Sequence, residues 1–278
     1  MKLGLMFANT VAVSPDQVLE LVGKAEAAGY ESLWTVEHVV VPQGYQSAYP
    51  YSKSGRMAGG VEDFAIPDPL VWLAFAAAAT SRIRLATGVL ILPQRNPVVL
   101  AKEVATLDVL SGGRFILGVG AGWLEEEFRA LGAPFADRGD RVDEYVAAMR
   151  ALWSQEVASF QGEFVSFADV FLRPRPVGGS VPIVIGGHSR RAARRAGELG
   201  DGFYPASAAV DELPGLVAFA RQTAERAGRD PDALEITMGS RPDRDSVDRL
   251  GALGVDRVVV SAAAGEEALA ALATAILG

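Results

Sequence analysis

Two histidines, two glycine-rich turns and one run of arginines are the residues of this chain whose types and spacing could do chemistry. His38 and His188 are its whole histidine complement, and imidazole is the side chain that exchanges protons near neutral pH without help from its surroundings. A single histidine after a strand is more often structural than catalytic, but both lie just past stretches that read as strands, and the shared position favours function. The second sits in Gly186, Gly187, His188, Ser189, where a strand runs into a helix. Open backbone N–H groups at Gly186 and Gly187, the Ser189 hydroxyl and the positive end of the helix dipole would together hold an anion such as a phosphate. Arg190, Arg191, Arg194 and Arg195 follow within two helical turns and add positive charge. The other turn, GVGAGW over 118–123, matches no nucleotide fingerprint closely, and glycine is equally needed where barrel strands crowd. The chain has no cysteine, which excludes disulfides, thiolate catalysis and cysteine-held zinc or iron–sulfur centres. No metal site is expected.

The elements that must position these residues alternate along the chain. Strands are predicted over 2–8, 32–36, 83–92, 114–120, 182–186, 203–205, 234–238 and 257–261. Helices fall between and after them: one from Ser14 and Pro15 to Gly29, then 68–80, 98–110, 125–131 with 138–153, 189–199, 213–227, 246–253 and 266–276. Serine before a proline at the first helical position, and glycine past the last, are start and stop signals with a physical basis. Eight strands, each followed by a helix and with no flexible linker between units, predict a single α/β domain over 1–278, a (β/α)8 TIM barrel. In such a barrel the loops after the strands converge on one face, which carries both histidines and both glycine turns. Two stretches break the rhythm. Residues 39–67 form a long loop after the second strand, a length usual for functional lids. Residues 156–180 alternate apolar and polar residues around a turn, as an inserted hairpin would.

Charge and hydropathy narrow the partners. With 26 basic against 34 acidic residues the chain carries a formal −8, which opposes general affinity for nucleic acid or anionic lipid and favours a small-molecule substrate. The longest apolar run, 70–79, is too short to span a bilayer and reads as a buried helix. The N-terminus reads as a strand and lacks a cleavage signal, so a cytoplasmic protein is expected.

The blocks 25–42 (AEAAGYESLWTVEHVVVP), 80–128 and 181–205 resemble, in order and spacing, the luciferase-like monooxygenase superfamily, and within it the branch that uses the deazaflavin coenzyme F-420. The resemblance implies that Gly88 and Val89 form a non-prolyl cis peptide, a bulge against the back of the flavin or deazaflavin ring. It implies that Ala121 and Gly122 approach the cofactor's polar edge or side chain, and that Gly186, Gly187, His188 and Ser189 take its phosphate. Glu37 and His38 match an acidic–histidine pair facing the reactive ring, with His38 binding substrate or moving a proton. Some sugar dehydrogenases of the branch carry a glutamate where this chain has Trp123, so a sugar phosphate is not expected and Trp123 is read as the wall of an apolar substrate pocket. Glu125 and Glu126 lie nearby, with a facing that sequence does not decide. The implied activity is hydride transfer between F-420 and a small organic substrate. Two alternatives keep the fold: an FMN-dependent monooxygenase fed reduced FMN by a separate reductase, and a non-catalytic flavin-binding protein. Relatives commonly pair through helices on one side of the barrel, and the run 70–79 is more apolar than one core-facing stripe needs; a homodimer is expected.

Overall fold

Strands with apolar residues on both faces need cover inside and out, and a closed barrel wrapped by helices supplies it. The computed structural model of the chain describes residues 1–57, 60–205 and 210–277. Its barrel strands are β1 (Lys2–Met6), β2 (Ser32–Thr35), β3 (Arg84–Thr87) with its extension β4 (Leu90–Ile91), β5 (Phe115–Gly120), β8 (Ile183–Gly186), β9 (Gly202–Tyr204), β10 (Glu235–Ser240) and β11 (Arg257–Ser261). They pair in parallel in the order β3-β2-β1-β11-β10-β9-β8-β5, and pairing of β3 with β5 closes the ring. Two antiparallel strands, β6 (Ala158–Gln161) and β7 (Ser166–Val170), form the expected hairpin before β8.

Period-two alternation sorts the side chains into two compartments. Leu5, Leu33, Leu85 and Leu117 point out into the main core beneath the helices. Met6, Trp34, Ala86, Ile116, Val184 and Tyr204 point into the barrel and form a separate cluster. At the N-terminal end of the strands, Arg257 is wholly buried and bonds Glu31 and Glu235.

The outer layer comprises α2 (Pro15–Ala27), α3 (Pro69–Ala78), α4 (Pro97–Leu110), α6 (Arg138–Ser154), α7 (Arg190–Leu199), α8 (Leu213–Arg226), α9 (Arg244–Ala252) and α10 (Glu266–Leu277), with the short α1 (Ala8–Val11) and α5 (Glu125–Ala130) at strand ends. Ser14 caps α2 in a capping box with Gln17, and Asp68 caps α3 by accepting from the N–H groups of Leu70 and Val71. None of the described helices is long and apolar enough to cross a membrane.

Three predicted elements change. The strand expected over 2–8 stops at Met6, because Phe7 turns to φ 65° and opens α1. The strand expected over 83–92 is broken between Thr87 and Leu90, at the position of a cis peptide between Gly88 and Val89. The helix at 70–79 is not buried all round, since Val71 is 72% and Phe75 44% exposed.

Candidate functional site at the barrel mouth

The break in the third strand organises the C-terminal mouth. Gly88 N–H donates to Thr35 O at 2.7 Å, and Thr87 Oγ1 donates to Gly118 O at 2.7 Å, so the turn is fastened to both neighbouring strands. Val89 then occupies space that side chains on β5 and β8 would need: a Cβ on Gly120 would lie 2.7 Å from Val89 Cγ2, and one on Gly186 2.6 Å from Val89 Cγ1. Gly120 and Gly186 thus have a packing reason, the room for Val89. Gly122 has φ +80°, and a Cβ there would meet Ile91 and Phe128 at 2.7 Å. Ala121 and Gly122 remain partly exposed at the end of β5.

Glu37 and His38 have separate hydrogen-bond partners. Successive residues of an extended segment point to opposite sides, and here they find different partners. Glu37 is buried, accepts from Arg95 Nε at 3.1 Å, and also bonds Arg95 Nη2 and Ile91 N–H. Burial pushes its carboxyl up against the downward pull of Arg95. This carboxylate is bonded to Arg95 and to the β4 turn. The acidic partner of His38 is instead Glu127 on α5, with Nδ1 2.9 Å from Oε2. Glu127, whose side chain is 1% exposed, also accepts from Val39 N–H at 2.6 Å and Val40 N–H at 3.3 Å. Sequence reasoning weighed its neighbours Glu125 and Glu126 and missed it. Its signal was its place beside the apolar Leu124 and Phe128, on the buried side of the helix.

The segment 39–67 holds no strand or α-helix among its described residues and covers the mouth as a tethered lid. Glu127 grips its first N–H groups. Glu126 holds its middle, accepting from Ser47 Oγ at 2.6 Å, Gln46 N–H at 2.7 Å and Ser47 N–H at 3.1 Å. The Ser47 hydroxyl and these N–H groups hold the Glu126 carboxyl down at about 2. The far end is fixed by the wholly buried Asn9, which donates to Pro67 O at 2.8 Å and to Val36 O at 2.9 Å. Nothing in the sequence around Asn9 announced this role.

Aromatic rings line the underside of the lid. Trp123 meets His38, Tyr45 and Tyr49 edge-on, with centroids 5.7, 5.3 and 5.1 Å away. Tyr49 touches Tyr51, which in turn meets His188 at 5.3 Å. An unbroken chain of ring contacts therefore joins the two histidines. Below it Tyr204 closes the barrel interior, its hydroxyl pushed above the ordinary value by burial and then by Tyr51 and Tyr49. The cavity between α2 and α10, about 590 Å³ and lined by Leu21, Ala25 and Leu269, lies on the outer wall and contains none of these groups.

At the other side of the mouth the expected anion site is altered in detail. Gly187 N–H is not open, because it donates to Tyr204 O at 3.0 Å. Ser189 is the N-cap of α7, its Oγ accepting from Ala192 N–H at 3.2 Å. In the first helical turn the N–H groups of Arg190 and Arg191 have no intrahelical acceptor. His188 Nδ1 is buried and has no hydrogen-bond partner among the described residues. The arginines contribute less than their number suggests: Arg194 pairs with Glu198 and Asp143, Arg195 pairs with Asp143, and Arg190 lies over the Phe219 ring at 4.0 Å.

A closed parallel barrel with polar and aromatic groups gathered at its C-terminal mouth defines a TIM barrel with a candidate site under the lid. The model of the luciferase-like monooxygenase family matches residues 1–242, and the chain belongs to this family of oxidoreductases. Among curated relatives, an uncharacterized protein of Mycobacterium tuberculosis is 34% identical over 256 residues, covering 92% of this chain and 89% of that one. An F-420-dependent glucose-6-phosphate dehydrogenase of Amycolatopsis mediterranei is 30% identical over 241 residues, 83% of this chain and 67% of that one. Among solved structures, a monooxygenase of Streptomyces bottropensis, 24% identical, superposes with a TM-score of 0.79 over 99% of this chain and 97% of that one and shares the fold.

Proposed function

We propose that this single-domain oxidoreductase uses coenzyme F-420 and moves a hydride between it and a small organic substrate at the barrel mouth. The observation that carries the reading is that the buried Nδ1 of His188, beside the start of α7, has no partner among the described residues. A buried polar atom without a partner is costly, and a phosphorylated cofactor would supply one while its charge meets the helix dipole. The kinship with F-420-dependent glucose-6-phosphate dehydrogenases supports the choice of cofactor. In this reading His188, Ser189 and the N–H groups of the first α7 turn hold the phosphate, while Gly186 and Gly187 shape the turn. Gly88 and Val89 back the ring, and Ala121 and Gly122 border its polar edge.

Bound F-420 supplies a two-electron hydride donor or acceptor. The chain's own residues do the rest. Trp123 and the lid tyrosines wall an apolar substrate pocket and keep water out. His38 gives or takes the substrate's proton at Nε2, which has no hydrogen bond among the described residues. Trp123 in place of an acidic group argues against a sugar phosphate as substrate. The exposed Val71 and Phe75 on α3 support a homodimer, as do the family's habits, and we place it in the cytoplasm. Sedimentation as a monomer at micromolar concentration would remove the dimer.

Parallel titration of the purified protein with F-420 and FMN tests the cofactor. F-420 is expected to bind at least tenfold more tightly, a difference of about 1.4 kcal/mol. Equal or reversed affinities overturn the assignment and favour the FMN-dependent alternative.

A further inference from the structure

We propose that Glu127 is the positioning residue of the site: it fixes His38 in the tautomer that carries its proton on Nδ1 and leaves the Nε2 lone pair for the substrate's proton. This rests on the reading of His38 as the proton-handling group. A carboxylate flanked by donors can only accept. Glu127 Oε1 takes Val39 N–H at 2.6 Å and Val40 N–H at 3.3 Å, so Oε2, 2.9 Å from His38 Nδ1, must receive the ring's proton. The side chain is 1% exposed, so no water competes for these lone pairs. Trp123 set edge-on to the imidazole leaves the ring little room to turn over.

The same carboxylate anchors the root of the lid. His38 and the first lid N–H groups thus share one fixed point, and any movement of the lid root is felt at the imidazole. Glu126, one residue earlier on α5, ties Gln46 and Ser47. This short helix therefore carries both the lid's grip and the orientation of the proton-handling group. It begins directly after the turn that contains Ala121, Gly122 and Trp123.

Glu127→Gln turns this into an experiment. Two backbone N–H groups compete for the amide oxygen, so the amide NH2 is forced toward His38, where it can only donate. The ring must then accept at Nδ1 and move its proton to Nε2. The measurement is the side-chain ¹⁵N–¹H spectrum of the ¹⁵N-labelled, cofactor-free protein, at a pH alkaline enough for neutral imidazole. Only two histidines contribute, and loss of one set of signals in His38→Asn assigns them. The wild type is expected to show His38 protonated on Nδ1, and Glu127→Gln to reverse the pattern with His188 unchanged. An Nε2–H tautomer in the wild type overturns the proposal, as does an unchanged tautomer in the variant. Should Glu127→Gln fail to fold, the wild-type spectrum still decides. The F-420 titration fails independently: an Nδ1–H tautomer without F-420 binding removes the cofactor reading and leaves the positioning role standing.

Discussion

The two histidines sit in opposite kinds of surroundings. His38 is held on one nitrogen by a buried carboxylate that also holds two lid N–H groups, so its orientation is settled before any ligand arrives. His188 has a buried nitrogen with no partner among the described residues, beside a helix start whose first two N–H groups have no intrahelical acceptor. A pre-satisfied group is built to act, and an unsatisfied one is built to be completed by a ligand. The difference assigns the proposed proton chemistry to one side of the mouth and the proposed phosphate binding to the other, with the lid's ring contacts between.

Breaking the first side should cost most. His38→Ala is expected to leave the barrel folded and able to bind F-420, and to slow turnover on the order of 10²–10⁴, the range typical of a lost general acid or base. Stopped-flow measurement of the F-420 absorbance change with a turned-over substrate reads it. Full turnover in the variant would make His38 a lid anchor only.

The second side is sharpened by Ser189→Asp. Aspartate caps a helix as well as serine does, so the melting temperature should hold or rise slightly. Its charge, however, opposes a phosphate at the same helix end, and F-420 affinity should fall about tenfold, in line with helix-terminus charge effects of about 1–2 kcal/mol. Unchanged affinity would put the phosphate elsewhere.

The lid between the two sides should give the smallest effect. Glu126 is held at about 2 in the folded protein against an ordinary 4.5. A depressed carboxyl contributes its stabilisation fully above the ordinary value and loses it as pH falls through the folded one. Trp fluorescence and near-UV circular dichroism should therefore stay constant from neutral pH to about 4.5 and change only toward 2. Glu126→Gln at neutral pH should shift the melting temperature by under about 2 °C, as expected for exposed hydrogen bonds in a chain of this size. A loosened lid at pH 6 in the wild type would show that another group holds it.

Much of the barrel was legible because its signals are local. Alternating apolar strands, capped helices and the absence of a linker are written in runs of a few residues, and they determined the eight units, the hairpin before β8 and the convergence of His38 and His188 on one face. Ser14 caps α2 as its place before Pro15 says it should, whereas Ser189, read as an anion donor, proves to be the N-cap of α7. What the tertiary structure decided were the partners, because a partner is set by which chains meet in space. The family resemblance set Glu37 beside His38 as a pair facing the ring, while in the structure Arg95 and the β4 turn bond Glu37, and Glu127, 89 residues on, bonds His38. The run of arginines suggested a phosphate clamp, yet Asp143 and Glu198 on and across from the same helix consume two of its charges. The glycines of both turns read as ligand signals, yet the space beside Gly120 and Gly186 is filled by Val89, which stands on the turn between β3 and β4. Sequence determines which groups are available and roughly where along an element they stand. Closure of the barrel and the docking of α5 against the lid root decide which of them remain free to meet a ligand.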